Sequence, residues 1–284
     1  MAGDFGLGYQ PDTVDLRDVD VRSVLHATPV PPLVPRMEAW TRTMNQGGLG
    51  SCVANAVLQA VRASELQQLV GMGRAVEDAQ AATPFGSRLF VYYLARAVMH
   101  TTQVDSGSRI RDAFRAINTH GFPPETVWPY SDSNNPLSGL FARMPSSDAF
   151  RSAFDQRLTA ERAAANVISY SRVFSTGYDR VDDVKRANAA GHLVVFGTDV
   201  SQKFASDDSA NGGRPIPPPV NEPIAGGHAM VWGGYDADSV WTLNSWGSLF
   251  GDNGWFRMSW DYVAWQRTGD IWIVERAPLY SGQS

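Results

Sequence analysis

Apolar residues recur at three- and four-residue steps through Val53, Ala56, Val57, Ala60 and Val61, which predicts a helix continuing to about Leu69 with Ser51 as its N-cap. The same spacing predicts helices over about 86–99 (Leu89, Val91, Tyr92, Ala95) and 108–119 (Ile110, Ala113, Phe114, Ile117), the second closed by Gly121. One more helix is expected inside 148–165, after a polar connection over 132–147. From there the pattern changes. Apolar runs rich in β-branched and aromatic residues predict strands at 167–174, 193–200, 228–235, 240–244, 255–260 and 271–276. The front of the chain is thus expected to be mainly helical and the back mainly sheet. The first forty residues, including Pro11 and the run from Pro29 to Pro35, carry little periodicity and read as an extended arm. The Gly- and Pro-rich stretch 207–226 reads as a long surface loop entering the strand at His228.

Composition narrows the classes of partner. With 284 residues, 43% of them apolar, the chain can bury one large core or two modest cores sharing an interface. Lys and Arg total 24 against 29 for Asp and Glu, and a net charge of −5 gives no basic footprint for phosphate backbones, so nucleic acid is not an expected partner. No run approaches the roughly 18 apolar residues of a membrane span, so no membrane partner is expected either. Residues 1–8 lack the basic start and apolar run of a secretory signal, so the chain reads as cytoplasmic, or as exported without a Sec signal. A single cysteine, Cys52, excludes an intrachain disulfide and suits a reducing compartment.

The chemistry centres on that cysteine. Cys52 follows Gly47-Gly48-Leu49-Gly50-Ser51 and is the first residue of the predicted helix, where unpaired backbone N–H groups and the helix dipole favour a thiolate. A lone cysteine is more often a small buried hydrophobe, so position alone leaves its role open. Gln46 lies across the glycine loop, from which its side-chain amide can join the Cys52 backbone N–H in donating to a developing oxyanion. His228 opens an apolar strand, and Asn244 ends the next one, so adjacent antiparallel strands can bring the two side chains together. An amide oxygen on one imidazole nitrogen leaves the other free to face a thiol, and Trp246 can shield that bond from water.

Three segments carry a family resemblance: Gln46 to Ala56, the Gly227-His228-Ala229 stretch, and Asn244-Ser245-Trp246-Gly247 with the following Gly251 to Trp255. In content and order they resemble the active-site segments of the papain-like cysteine peptidases, the C1 family. Val53 stands where an aromatic is usual, and Phe250 stands where the family usually has a second tryptophan lining the leaving-group side of the cleft. The resemblance implies an α+β fold of two lobes with the active site between them. Residues 41–150 would form the mainly helical lobe and 151–284 the antiparallel β lobe. It implies a cysteine-type peptidase with Cys52 as nucleophile, His228 as base, Asn244 orienting it and Gln46 in the oxyanion hole, needing no metal or organic cofactor.

Asp105 to Arg111 is similar to the family's Gly-Gly strip, which implies that Gly107 or Ser108 pairs its backbone with an extended substrate. A helix start capped by Asp105 and Ser106 explains the same residues equally well. Gly227, Trp246 and Phe250 complete the expected substrate-binding set. The arm resembles the short N-terminal extension of bacterial members such as xylellain, which suggests a bacterial or phage-like origin and a segment, 1–40, that covers the cleft. Two other readings remain: a catalytically idle module binding a partner through the cleft, and another Cys-His acyl transferase, which would generally place an Asp where this chain has Asn244. His26, His100, His120 and His192 have no partner pattern and read as structural or surface residues.

Overall fold

The computed structural model describes residues 5–277 apart from 14, 26, 136, 138, 163–167 and 207–212. His26, the first residue of the strand expected at 167–174, the last three of the 148–165 stretch and the opening of the 207–226 loop therefore lie outside the described residues. In chain order the helices are α1 (Arg22–Leu25), α2 (Cys52–Gly71), α3 (Val76–Ala82), α4 (Arg88–Val98), α5 (Ile110–His120), α6 (Ser147–Arg162), α7 (Gly177–Ala189), α8 (Gln202–Ser206) and α9 (Trp260–Ala264). The strands are β1 (Ser169–Val173), β2 (Val194–Ser201), β3 (Ile224–Tyr235), β4 (Ser239–Leu243), β5 (Trp255–Ser259) and β6 (Thr268–Arg276). No helix among the described residues is long and apolar enough to cross a membrane.

The strands form one antiparallel sheet in the order β1-β6-β2-β3-β4-β5. Successive side chains alternate between its faces, as the pleat requires. Val195, Ala229, Val231, Leu243, Trp272 and Val274 join a core built on α2, α4 and α5. Val194, Phe196, Met230, Trp232, Val240, Ile271 and Ile273 face the opposite way and pack with α7 and α9. Both faces are buried, which explains why β2, β3 and β6 read as apolar runs instead of alternating patterns. Phe196 and Trp232 stack across the second face at 3.7 Å, an arrangement worth about 1 kcal/mol beyond area burial.

Helix α2 runs through the middle, with fifteen of its residues buried, among them the polar Asn55, Gln59, Ser64 and Glu65. Periodicity identifies α2, α4, α5 and α6, but not α1, α3, α7, α8 or α9. In α7 the cause is visible: its buried face mixes Val181, Val184 and Ala187 with Arg180, Asp183 and Asn188, so no apolar stripe stands out. Arg180 belongs there because its guanidinium donates to the carbonyls of Val263 and Thr268, at 3.0 and 2.5 Å. The strand carrying His228 begins four residues earlier than the apolar run suggests, because Ile224 to Gly227 already pair with β2. The loop before it is tethered at Ile216, whose N–H donates to Arg257 O while Ser259 N–H donates to Ile216 O.

The arm wraps the molecule from end to end. Val34 pairs with Tyr235, Asp20 with Arg172 and Tyr9 with Ser108 as isolated bridges. Between them, Asp18 accepts from Arg111 and Arg172, and Asp15 accepts from Arg115 at 3.2 Å.

Candidate functional site

Four of the residues singled out in the sequence meet where α2 abuts the sheet. Cys52 is the first residue of α2 and is fully buried. Ser51 occupies the N-cap position but makes no side-chain cap; its hydroxyl instead hydrogen-bonds the Tyr130 hydroxyl at 2.6 Å and accepts from Asn55 Nδ2. The helix start is thereby fastened to its surroundings, and the first-turn N–H groups are left unclaimed by Ser51. The backbone amides of Ala229, the residue after His228, and of Gly8 on the arm favour the Cys52 thiolate, as do those of Val53 and Cys52 at the helix start. Burial nevertheless pushes the thiol up to about 11, the desolvation outweighing those amides.

His228 and Asn244 face one another from β3 and the end of β4, with His228 Nε2 2.8 Å from Asn244 Oδ1. The same Oδ1 accepts from the Ser245 backbone N–H at 2.7 Å, which fixes the amide's orientation. His228 Nδ1 has no hydrogen-bond partner among the described residues. The Trp246 ring lies 4.7 Å from the imidazole and covers the pair. Burial holds His228 down at about 4, against the Asn244 bond, which raises it. Burial thus favours the neutral form of both thiol and imidazole while the site is covered.

Gln46 is held between the segment that carries Cys52 and the one that carries Asn244. Its N–H donates to Ser245 O at 2.8 Å, its Oε1 accepts from the Ser245 hydroxyl at 2.5 Å, and Gly247 N–H donates to Met44 O. Its Nε2 donates to Leu49 O and to Gly6 O, at 2.8 and 2.9 Å. Around it, Arg88 joins Asn45 O, Asn55 and Glu125, and stacks 3.6 Å over Tyr130. Tyr130 in turn donates to Gln46 O. Sequence patterns give no sign of this bracing, because its members come from four separated segments.

The expected capping by Asp105 and Ser106 does not occur. Arg109 takes the N-cap position of α5, and Asp105 instead accepts from Gly50 N–H, at 3.1 Å, and from the Tyr92 hydroxyl. Asp105 thus pins the glycine loop in front of Cys52, a role that only tertiary contacts define. Ser108 does present its backbone: its N–H donates to Gly8 O at 2.7 Å and its carbonyl accepts from Gln10 N–H at 3.0 Å. Gly107, at φ 72°, lies so close that a Cβ there would strike Gly8. Gly227 O accepts from Tyr9 N–H at 3.0 Å. Phe5 stacks on Trp246 at 4.6 Å and 9°, and Phe250 meets Trp246 edge-on at 5.1 Å. Of the groups expected to hold a peptide, Gly107, Ser108, Gly227 and Trp246 are met by arm residues 5–10, whereas Phe250 packs on Trp246, Phe204 and Phe256.

No protein-family model matches the chain. It is similar, with 33% identity over 239 residues, to a peptidase C1-like protein of Acanthamoeba polyphaga mimivirus, an alignment spanning 82% of this chain and 69% of that protein. Among solved structures, xylellain, a cysteine protease from Xylella fastidiosa, superposes with a TM-score of 0.74 at 29% identity over 97% of each chain. A digestive procathepsin L from Tenebrio molitor larval midgut shares the fold, with a TM-score of 0.63 at 15% identity over 97% of this chain and 76% of that one.

Proposed function

Given that the chain belongs to the papain-like C1 family of cysteine peptidases, we propose that it hydrolyses peptide bonds through Cys52 and His228. The observation that carries this is the buried His228–Asn244 pair at 2.8 Å, with the other imidazole nitrogen unpartnered among the described residues while the neighbouring Ala229 amide favours the Cys52 thiolate. The cleft lies between the helix-bearing part, 41–150, and the sheet-bearing part, 151–284.

In the open enzyme the Cys52 proton passes to His228, and the thiolate attacks the substrate carbonyl carbon. Gln46 Nε2 and the Cys52 N–H donate to the oxyanion, a reading supported by the Gly6 carbonyl of the arm, which accepts from Gln46 Nε2. The imidazolium then protonates the leaving amine, and water, deprotonated by the same imidazole, releases the thioester. Asn244 keeps the ring in position throughout.

The arm is the enzyme's own inhibitor in this reading. It sets Gly8 beside Cys52, where the Gly8 amide favours the thiolate. It also runs from Phe5 on Trp246 toward Gln10 on Ser108. A substrate with its leaving group toward Trp246 runs the opposite way, so the arm fills the cleft without offering a scissile bond.

Mass spectrometry after incubation with an epoxide inhibitor of papain-like enzymes tests the chemistry: a single adduct on Cys52, lost in His228→Ala, is expected. A folded protein that takes up no label even after the arm is displaced refutes it. Removal of residues 1–40 is expected to raise hydrolysis of small fluorogenic peptides, and unchanged kinetics in a folded deletion variant would refute the inhibitory role.

A further inference from the structure

We infer that the pocket filled by Tyr9 is a substrate subsite that selects tyrosine at the residue preceding the one whose carbonyl is attacked. This rests on the peptidase reading above and names the substrate class of the same cleft.

Tyr9 is the arm residue next to Gly8, whose amide acts on the Cys52 thiol, and its backbone spans Gly227 O on one side and the Ser108 strip on the other. Its ring enters a slot that exists because two strand residues lack side chains. A Cβ on Gly197 of β2 would run into the Tyr9 ring, and one on Gly227 of β3 would come within 3.0 Å of it. At the floor of the slot the Tyr9 hydroxyl donates to Asp270 Oδ2 at 2.7 Å.

Asp270 is aimed at the slot by an irregular backbone. The β2–β6 register shifts between Val195, opposite Trp272, and Gly197, opposite Gly269. Asp270 sits in that bulge at φ 45°, a left-handed conformation that asparagine and aspartate tolerate better than other non-glycine residues. Strained residues in bulges persist where the surroundings hold them, and here Arg172 grips Asp270 Oδ1. Among the described residues Oδ2 accepts only from the arm, through the Tyr9 hydroxyl and the Asp12 N–H. When the arm leaves, a buried carboxylate oxygen loses both donors, and a tyrosine side chain entering from substrate restores one.

The charges around the slot separate tyrosine from its competitors. Arg172 neutralises Asp270 directly, and the charges of Arg172 and Arg180 both act on the Tyr9 phenol. A lysine or arginine side chain would therefore enter between two cations with only one, already paired, anion to meet it. Phenylalanine fills the slot but leaves Oδ2 without a donor, and sites built to bond a substrate hydroxyl discriminate strongly against analogues that lack it.

The test uses the full chain carrying Tyr9→Ala, which weakens arm docking without touching the catalytic groups. Fluorogenic peptides carrying Tyr, Phe, Leu or Arg in the penultimate position are compared by kcat/KM. The Tyr peptide is expected to exceed the others by about tenfold or more, the worth of one hydrogen bond to a charged acceptor. In the Asp270→Asn derivative, which keeps a residue tolerant of the left-handed backbone, the Tyr-over-Phe ratio is expected to collapse to within about threefold. Hydrolysis with Phe or Leu equal to Tyr, or a ratio unchanged by Asp270→Asn, overturns the pocket assignment and leaves the peptidase reading standing. Binding of the same peptides to the Tyr9→Ala, Cys52→Ala chain, measured by calorimetry, gives a second readout independent of turnover. Tighter binding of the Tyr peptide with no hydrolysis by any active-site-intact chain would support the pocket and sink the peptidase reading; equal affinities would sink the pocket.

Discussion

Replacing Gly8 with alanine isolates the arm's grip on the cleft. An added Cβ would fall on the Gly50 carbonyl and against its Cα, all backbone atoms. Gly50 cannot retreat freely, because Asp105 accepts its N–H at 3.1 Å from both carboxylate oxygens. The arm must give instead, and overpacking of this kind costs about 1–3 kcal/mol. Charged to the docked state alone, that cost raises the fraction of molecules with an open cleft about 5- to 150-fold, since about 1.4 kcal/mol is a factor of ten. Buried Cys52 reacts only when open, so its iodoacetamide modification rate follows that fraction when reclosing is fast. The expected result is faster alkylation by at least about fivefold, with unchanged circular dichroism and a cooperative melt, because residue 8 belongs to no helix or strand. A folded Gly8→Ala protein alkylated at the wild-type rate would refute the idea that the arm gates the thiol.

Gln46→Ala should separate two roles by sign: kcat falls by about 10²–10³ through loss of an oxyanion donor, while Cys52 alkylation quickens because Gly6 O loses its partner. Asn244→Ala should lower kcat by about 10² with little change in KM, since it removes the group that orients the base. Arm docking should weaken as pH rises. Burial, then the Asp270 carboxylate, raise Asp12 from 3.8 to about 7 against Arg111 and Arg172, so its docked form holds a proton that the free arm releases. Its contribution is complete below about pH 4 and is lost as pH climbs to about 7. Cys52 labelling corrected for thiolate fraction should rise across that window, and Asp12→Asn should flatten the rise. Replacing Arg96 with leucine should destabilise the fold by about 3 kcal/mol or more, read as a lower melting temperature, because its guanidinium donates to the carbonyls of Thr102, Val104 and Phe141.

Periodicity and motif content are local properties, and what they govern was legible in the chain. The 3.6-residue recurrence from Val53 to Val61 sets α2 with Cys52 at its head, and the apolar runs set all six strands to within a few residues. The quoted segments also identified the family and the candidates Cys52, Gln46, His228 and Asn244. What they could not convey is which distant segment completes each group's hydrogen bonds. Asp105 read equally well as a helix cap and is instead the anchor of Gly50; α7 hid because its buried Arg180 and Asp183 are matched by partners 83 and 161 residues away. Asp270 aims at the cleft only because a bulge against β2 turns it there, and Tyr9 reaches it only because Gly197 leaves the space. Hydrophobic burial writes its period along the chain, whereas the pairing of buried polar groups is settled by whichever segments the packed core brings within about 3 Å of one another.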